Sequence, residues 1–462
     1  MTNASPLWDR RTNMTSTTAN HKKTKTESML LNVGPSHPAM HGIVRIITEL
    51  EGEKVLTSDV EIGYLHRAFE KSAEQRGYLQ VIPYTDRLNY VSPLINNFGY
   101  CLAVEKLFGL KVPERAQYIR VILSEISRVA DHLTCIGATA MELGAFTVFL
   151  YMMQAREYLY ELIEAVTGAR ITVTYSRIGG LKADLPKGFE AKCRAAIQKS
   201  RKLLKDCDGL LTMNRIFVDR TKGVGVISQE DALSYAITGP FLRSTGVDYD
   251  VRRAFPYLVY DRFEFEIPVG TKGDNYDRYL CRMEEMVQSF RIIEQALDQI
   301  PEGPVLTDME GRVIPASEMV DEAKMGRTEG LLQNSVTGDP TLEGAPRDRY
   351  PAFETSNMRA ILPAKEDTYG NIEGLMHHFK IVMDGHGIRP PKGEAYFPVE
   401  GGNGELGFYV VSDGSGRPYR VRVRPPCFAI MAALPVMLNG GMFADIIPTF
   451  GSVNMIGGEL DR

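Results

Sequence analysis

The stretch that decides the fold is Pro113–Gly137, PERAQYIRVILSEISRVADHLTCIG. Its leading proline suits the first turn of a helix, where a missing N–H costs nothing. Behind it Ile119, Ile122, Ile126, Val129, Leu133 and Ile136 recur at spacings of three and four, which predicts a helix with one buried stripe. Working outward, Ala145–Thr167 is apolar on nearly every side in its first half, the pattern of a helix central to a bundle. Ser228 with Asp231 reads as a capping box. Gly273 precedes a long amphipathic stretch, Asp274–Ile300, charged on one face and carrying Leu280, Met283, Val287, Phe290 and Ile293. Toward the N-terminus, IVRIITEL alternates, Glu51-Gly52-Glu53 turns, and KVLTSDVEI continues as an antiparallel neighbour. Toward the C-terminus a short helix around Asn371–Met383 comes first. Glu405–Ser412 and Arg417–Arg424 then flank Asp413-Gly414-Ser415-Gly416 as a hairpin, and Cys427–Asn439 is an apolar helix. The expected class is α+β, mainly helical. Its expected parts are a tail at 1–28, a β region at 29–62, a helical bundle at 63–301, an insertion or linker at 302–350, and an α/β region at 351–462.

Composition excludes several functions. With 44% hydrophobic and 24% charged residues and a formal net charge of −5, nothing in the charge balance points to nucleic acid. The six cysteines form no CxxC pair, so neither a zinc ribbon nor a self-contained iron–sulfur site is written here; they read as buried thiols in a reducing compartment. No run approaches the roughly 18–20 apolar residues of a membrane span. The N-terminus lacks the apolar run of a secretory signal.

Two segments carry residues suited to chemistry. In Leu31–Gly42, LNVGPSHPAMHG, the glycines and prolines break regular structure and leave His37 and His41 on a loop. The spacing of these histidines is that of two helical zinc ligands, but Pro38 spoils the helix and no glutamate stands between them. Gly223-Val224-Gly225 lacks the third glycine of a dinucleotide fingerprint, and no nucleophile elbow appears. A polar pocket that protonates a neutral ligand remains, beside the simpler reading that His37 only braces a turn. The second segment, VIPYTDRLNYVSP, is expected as a loop from Pro83 to Pro93 and brings Tyr84, Arg87 and Tyr90. Histidine and tyrosine each both donate and accept a proton. Opposed across a planar dicarbonyl, they would bond both oxygens and deliver two protons as two electrons arrive. Composition alone favours the plainer reading of Tyr90 as a buried phenol with one backbone partner.

A resemblance bears on this choice. LNVGPSHPAMHG, IGYLHRAFEK, YLQVIPYTDRLNYVSP, the Arg120–Leu133 helix, GVDYDVRRAFPY, GDNYDRYLCR, IEGLMHHFK, PPKGEAYFPVE and GELGFYVVSDGSGRPYRVRVRPP together resemble the D subunit of the proton-pumping NADH:quinone oxidoreductase, respiratory complex I. The matching segments run from about Met29 to Arg462, leaving out the tail and the 302–350 insertion. The resemblance implies a fold like the large subunit of nickel–iron hydrogenases, a helical bundle edged by N- and C-terminal antiparallel sheets. The two metal-binding CxxC pairs of those enzymes are missing, and GELDR stands where the second would be, so no metal is expected on this chain.

Residue by residue, the resemblance implies that His41 and Tyr90 bind the quinone headgroup, with His37 and Met40 on the loop lining the cavity. It puts Arg87 near a terminal 4Fe-4S cluster supplied by a partner, the B subunit. Two positions depart from the family. Glu142 replaces the usual aspartate partner of the quinone histidine, and Thr172 stands where a histidine often lies near the cluster. The second departure implies a lower, less pH-dependent cluster potential, suiting a low-potential quinone such as menaquinone, with ubiquinone the alternative. The implied catalytic set is His41, Tyr90 and Glu142. The implied partners are the B and C subunits and the membrane-arm subunit at the quinone channel, and the implied location is the cytoplasmic face of the bacterial inner membrane, as a peripheral protein. A hydrogenase-like or formate-coupled membrane complex with another electron donor is the competing reading, and a scaffold without a reaction site is a third. His66, His132, His377, His378 and His386 read as structural.

Overall fold

The alternation at residues 43–62 becomes two strands of a three-stranded antiparallel sheet. It comprises β1 (Met29–Val33), β2 (Arg45–Glu51) and β3 (Lys54–Glu61), in that order, with Val33 opposite Ile46 and Glu51 opposite Lys54. Strand β2 buries Ile46, Thr48 and Leu50 on one face. The computed structural model describes residues 27–37, 42–307, 365–382 and 389–462, with backbone alone at 365–367 and 380–382. Most of the expected tail, Met40, His41, His386 and nearly all of the expected insertion lie outside the described residues.

The main helices are α1 (Tyr78–Thr85), α2 (Pro93–Phe108), α3 (Glu114–Glu142), α4 (Phe146–Thr167), α5 (Phe189–Leu211), α6 (Asn275–Gln299), α7 (Pro426–Leu438) and α8 (Ile446–Val453). A second antiparallel sheet, β4 (Gly393–Glu400), β5 (Glu405–Ser412) and β6 (Arg420–Arg424), has β5 at its centre. The edge strand β4 tolerates Pro398, which masks it in the sequence. Ser228 caps the short helix Gln229–Ser234 as expected, its hydroxyl accepting from the Asp231 N–H.

Three expectations need correction. The central helix is α3, not Ala145–Thr167, and α3 has no exposed face opposite a stripe: 22 of its 29 residues are buried. Helix α4 leaves Phe146 and Leu150 half-exposed. In α6, Leu280 and Val287 point outward while Arg278, Arg282 and Glu285 are inside. For α3 and α6 the physical reason is shared: charged residues that hydropathy assigns to the surface neutralise one another in the interior. Arg120 grips Glu105 at 2.6 Å. Arg243 bridges Glu285 and Glu400, both at 2.9 Å, and Arg252 reaches Glu125 and Asp250. Burial pushes Glu125 up, but Arg128 and Arg252 outweigh it and hold the carboxyl below its usual range. Asp250, Glu285 and Glu400 lie close enough to hold a cation, and the guanidinium groups of Arg243 and Arg252 already fill that role.

Candidate functional site

The expected Pro83–Pro93 loop is shorter than its prolines suggest. Pro83 and Tyr84 belong to α1, whose last turn absorbs Pro83, and only residues 86–92 are irregular. Two buried asparagines and a buried aspartate fix that loop. Asn89 Oδ1 accepts from the N–H groups of Val91 and Ser92, and the Asn89 carbonyl accepts from Asn96 Nδ2. Asn89 Nδ2 and Ser92 Oγ donate to Asp131 Oδ2 at 3.0 and 2.9 Å. Asp131 comes from the middle of α3, so the most buried helix carries the anchor.

Held this way, Tyr90 presents a phenol that is 38% exposed. Burial, with Cys427 and Asp131 close by, raises its proton affinity above that of an ordinary phenol; Arg67 and a backbone hydrogen bond from Gly457 oppose the rise. Arg87 is half-exposed and pairs with the buried Asp86 at 3.0 Å, while its carbonyl accepts from Arg67. Thr172 lies in an exposed turn with φ 56°, and His37 is exposed where the described part of its loop ends.

Glu142 is the final residue of α3, eleven positions beyond Asp131 and so about 16 Å along the helix. Burial raises its carboxyl to about 8. The carboxylate packs on Gly451, where an added Cβ would come within 2.6 Å of Glu142 Oε2.

One stretch gathers these pieces, and sequence reasoning missed it. In α8 and the residues after it, Gly451 abuts Glu142, and Asn454 Nδ2 donates to Asp131 Oδ1 at 2.9 Å. Met455 fills the space that a side chain at Gly42 would need, which brings the far end of the histidine loop to the same place. Gly457 meets Tyr90, and Gly458 lies so close to the Arg87 and Leu88 carbonyls that a Cβ would sit 2.3 Å from the first. Beyond it, Glu459 Oε1 accepts from the Cys427 N–H at 3.0 Å. Burial lifts the Glu459 carboxyl to about 7, the Cys427 N–H opposing and nearby Asp131 adding to the rise. Asp461 takes the N–H groups of Gly63 and Leu65, while His66 Nδ1 hydrogen-bonds to its carbonyl oxygen. The signal was the pair Gly457-Gly458 in an otherwise well-packed segment, since adjacent glycines mark a close approach of backbones. His41 and Met40, the remaining expected members of the site, lie outside the described residues. All six cysteines are buried free thiols.

Residues 142–462 match the family model described as respiratory-chain NADH dehydrogenase, 49 Kd subunit. The first of the D subunits of NADH-quinone oxidoreductase in Sorangium cellulosum is 53% identical over 437 residues, covering 94% of this chain and 96% of the relative. The D subunit of the Myxococcus xanthus enzyme is 50% identical over 438 residues, covering 95% and 94% respectively. The C/D subunit of the Bdellovibrio bacteriovorus enzyme is 47% identical over 432 residues, 94% of this chain and 68% of that relative. No described helix is long and apolar enough to cross a membrane. With the whole α8 segment and half of the buried ion network inside the matched region, the chain belongs to the family of the 49 Kd subunit of respiratory-chain NADH dehydrogenase.

Proposed function

We propose that this chain is the quinone-site subunit of an NADH:quinone oxidoreductase, active only within the complex and coupled there to proton translocation. The observation that supports this best is the convergence of the Tyr90 loop, Glu142 and the end of the histidine loop on residues 451–458. A half-exposed phenol and a partly enclosed carboxyl of raised proton affinity, both bordering that segment, suit the reduction of a neutral dicarbonyl. In this reading the 29–62 region, the bundle and the C-terminal region together form a hydrogenase-large-subunit-like scaffold. The 302–350 segment is an insertion or linker.

Quinone reduction takes two electrons and two protons. A 4Fe-4S cluster of the partner B subunit would supply the electrons, and Arg87 and Thr172 would be the residues of this chain nearest to it; a guanidinium there would favour the reduced cluster. Tyr90 Oη gives one proton to one carbonyl oxygen and His41 gives the other, leaving a phenolate, a neutral imidazole and a quinol. His37 and Met40 belong to the loop that lines the quinone cavity. Glu142 holds the imidazolium before the reaction and loses that partner after it, which is the local event passed to the membrane arm. The C subunit and the membrane-arm subunit complete the assembly; the C/D relative supports the first of these. The chain sits peripherally on the cytoplasmic face of the inner membrane.

The test is Tyr90→Phe in the assembled complex. Quinone reduction should fall at least 100-fold, on the order of one general acid, while NADH oxidation by an artificial acceptor upstream persists. Unchanged quinone reduction would reject the assignment.

A further inference from the structure

Two guanidinium groups one turn apart on α6, Arg278 and Arg282, are enclosed by the protein, with 0% and 2% exposure. The other enclosed arginines, Arg120, Arg128, Arg243 and Arg252, each meet at least one carboxylate. Arg278 does not. It donates to Asn275 Oδ1, Ser452 Oγ and the carbonyls of Gly225 and Gly273, and stacks on Phe241 at 3.8 Å. Burial first, then the neighbouring Arg282, pulls its proton affinity down to about 9, against the weaker pull of Asp274 and Asp277, so it stays charged at neutral pH.

Arg282 makes neither a hydrogen bond nor an ion pair among the described residues, and its Nε is buried without an acceptor. Its side chain lines a cavity of about 20 Å³, walled also by Cys135, Thr139, Asn275, Tyr279 and Ser452. A single water-sized particle needs roughly 10–15 Å³. Among the described residues no carboxylate lines this space; Asp131 and Glu142 are the nearest acidic groups to its Cys135 wall. Water would solvate a guanidinium but would leave two adjacent buried cations without a counter-charge in contact, a costly arrangement in a protein interior. Every wall is neutral or positive, and the volume admits a monatomic ion little wider than water.

We propose that this cavity between α3, α6 and α8 is a monovalent-anion site that takes chloride, with Arg282 as its principal cation. The anion supplies a counter-charge in contact with Arg282, which no described side chain supplies, and it ties α6 to the α8 segment that organises the candidate site. The site stands independently of the quinone reading, because none of its walls is assigned a role in that reaction.

The experiment uses the intact purified complex moved from chloride into gluconate at fixed ionic strength, then titrated with chloride or bromide. Hydrogen exchange in peptides covering residues 275–299 and 446–453 should slow several-fold and saturably with either halide, and not with further gluconate. Arg282→Met should abolish the response, and so should Thr139→Ile, which fills the cavity while keeping the arginine. If Arg282→Met does not assemble, the wild-type complex still decides the matter through bromide located by anomalous scattering. A bromide peak beside Arg282 supports the site. Halide-independent exchange, or bromide confined to the surface with water alone in the cavity, overturns it.

Discussion

Glu142→Gln isolates the electrostatic character of the candidate site. Burial lifts this carboxyl from 4.5 to about 8. At about 1.4 kcal/mol per pH unit, the ionised form carries a penalty of about 5 kcal/mol above that pH. The side chain is only partly enclosed, and screening by water removes about half of this, leaving about 2 kcal/mol. The sign follows from proton binding: the folded carboxyl holds its proton more tightly than the unfolded one. The wild-type chain therefore loses stability relative to the glutamine variant as pH rises from about 4.5 to about 8, and the two coincide below that window. An unfolding entropy of about 2 cal/mol/K per residue over 462 residues gives about 1 kcal/mol/K, so the variant should melt about 2 °C higher at pH 8 and equally at pH 4.5. The six buried thiols supply the assay, because their heat-induced labelling, read by mass spectrometry, reports unfolding of this chain within the complex. A variant that melts lower than wild type at pH 8, by a margin growing with pH, would refute the reasoning. It would mean that the imidazolium assigned to it in the proposed reaction still holds the carboxylate ionised at pH 8.

Two further substitutions test the framework. Asp131→Asn leaves buried donors of Asn89, Ser92 and Asn454 facing an amide, at roughly 1–3 kcal/mol for each group left unsatisfied; hydrogen exchange in residues 86–92 should rise, and an unchanged rate would show that the loop is held by other contacts. Glu105→Gln strips the buried Arg120 of its bidentate partner and should cost about 3–5 kcal/mol, seen as a melting point lower by about 3–5 °C in the same thiol assay.

Local patterns carried much of the fold. The alternation in β2, the turn at Gly52, the cap at Ser228 and the start of α6 all lie where short-range chemistry puts them. Burial was harder to read. Glu125, Arg128, Arg252 and Glu285 look solvent-facing one at a time, and only their mutual pairing across elements makes the interior tolerate them. The site divides the same way. Tyr90, Arg87 and Glu142 stand out by residue type and by family resemblance. The segment that joins them comes from residues more than three hundred positions away, and no local periodicity reports such a contact.

That distance has a consequence for how the protein is made. Asn454 and Asp461 anchor backbone and side chains laid down some 323 to 398 residues earlier. While the ribosome is still translating the middle of the chain, Asp131 and the amides of Gly63 and Leu65 have no native partner from the far end. The loop that carries Tyr90, anchored on Asp131, thus takes its full set of contacts only once residues 451–461 have been made.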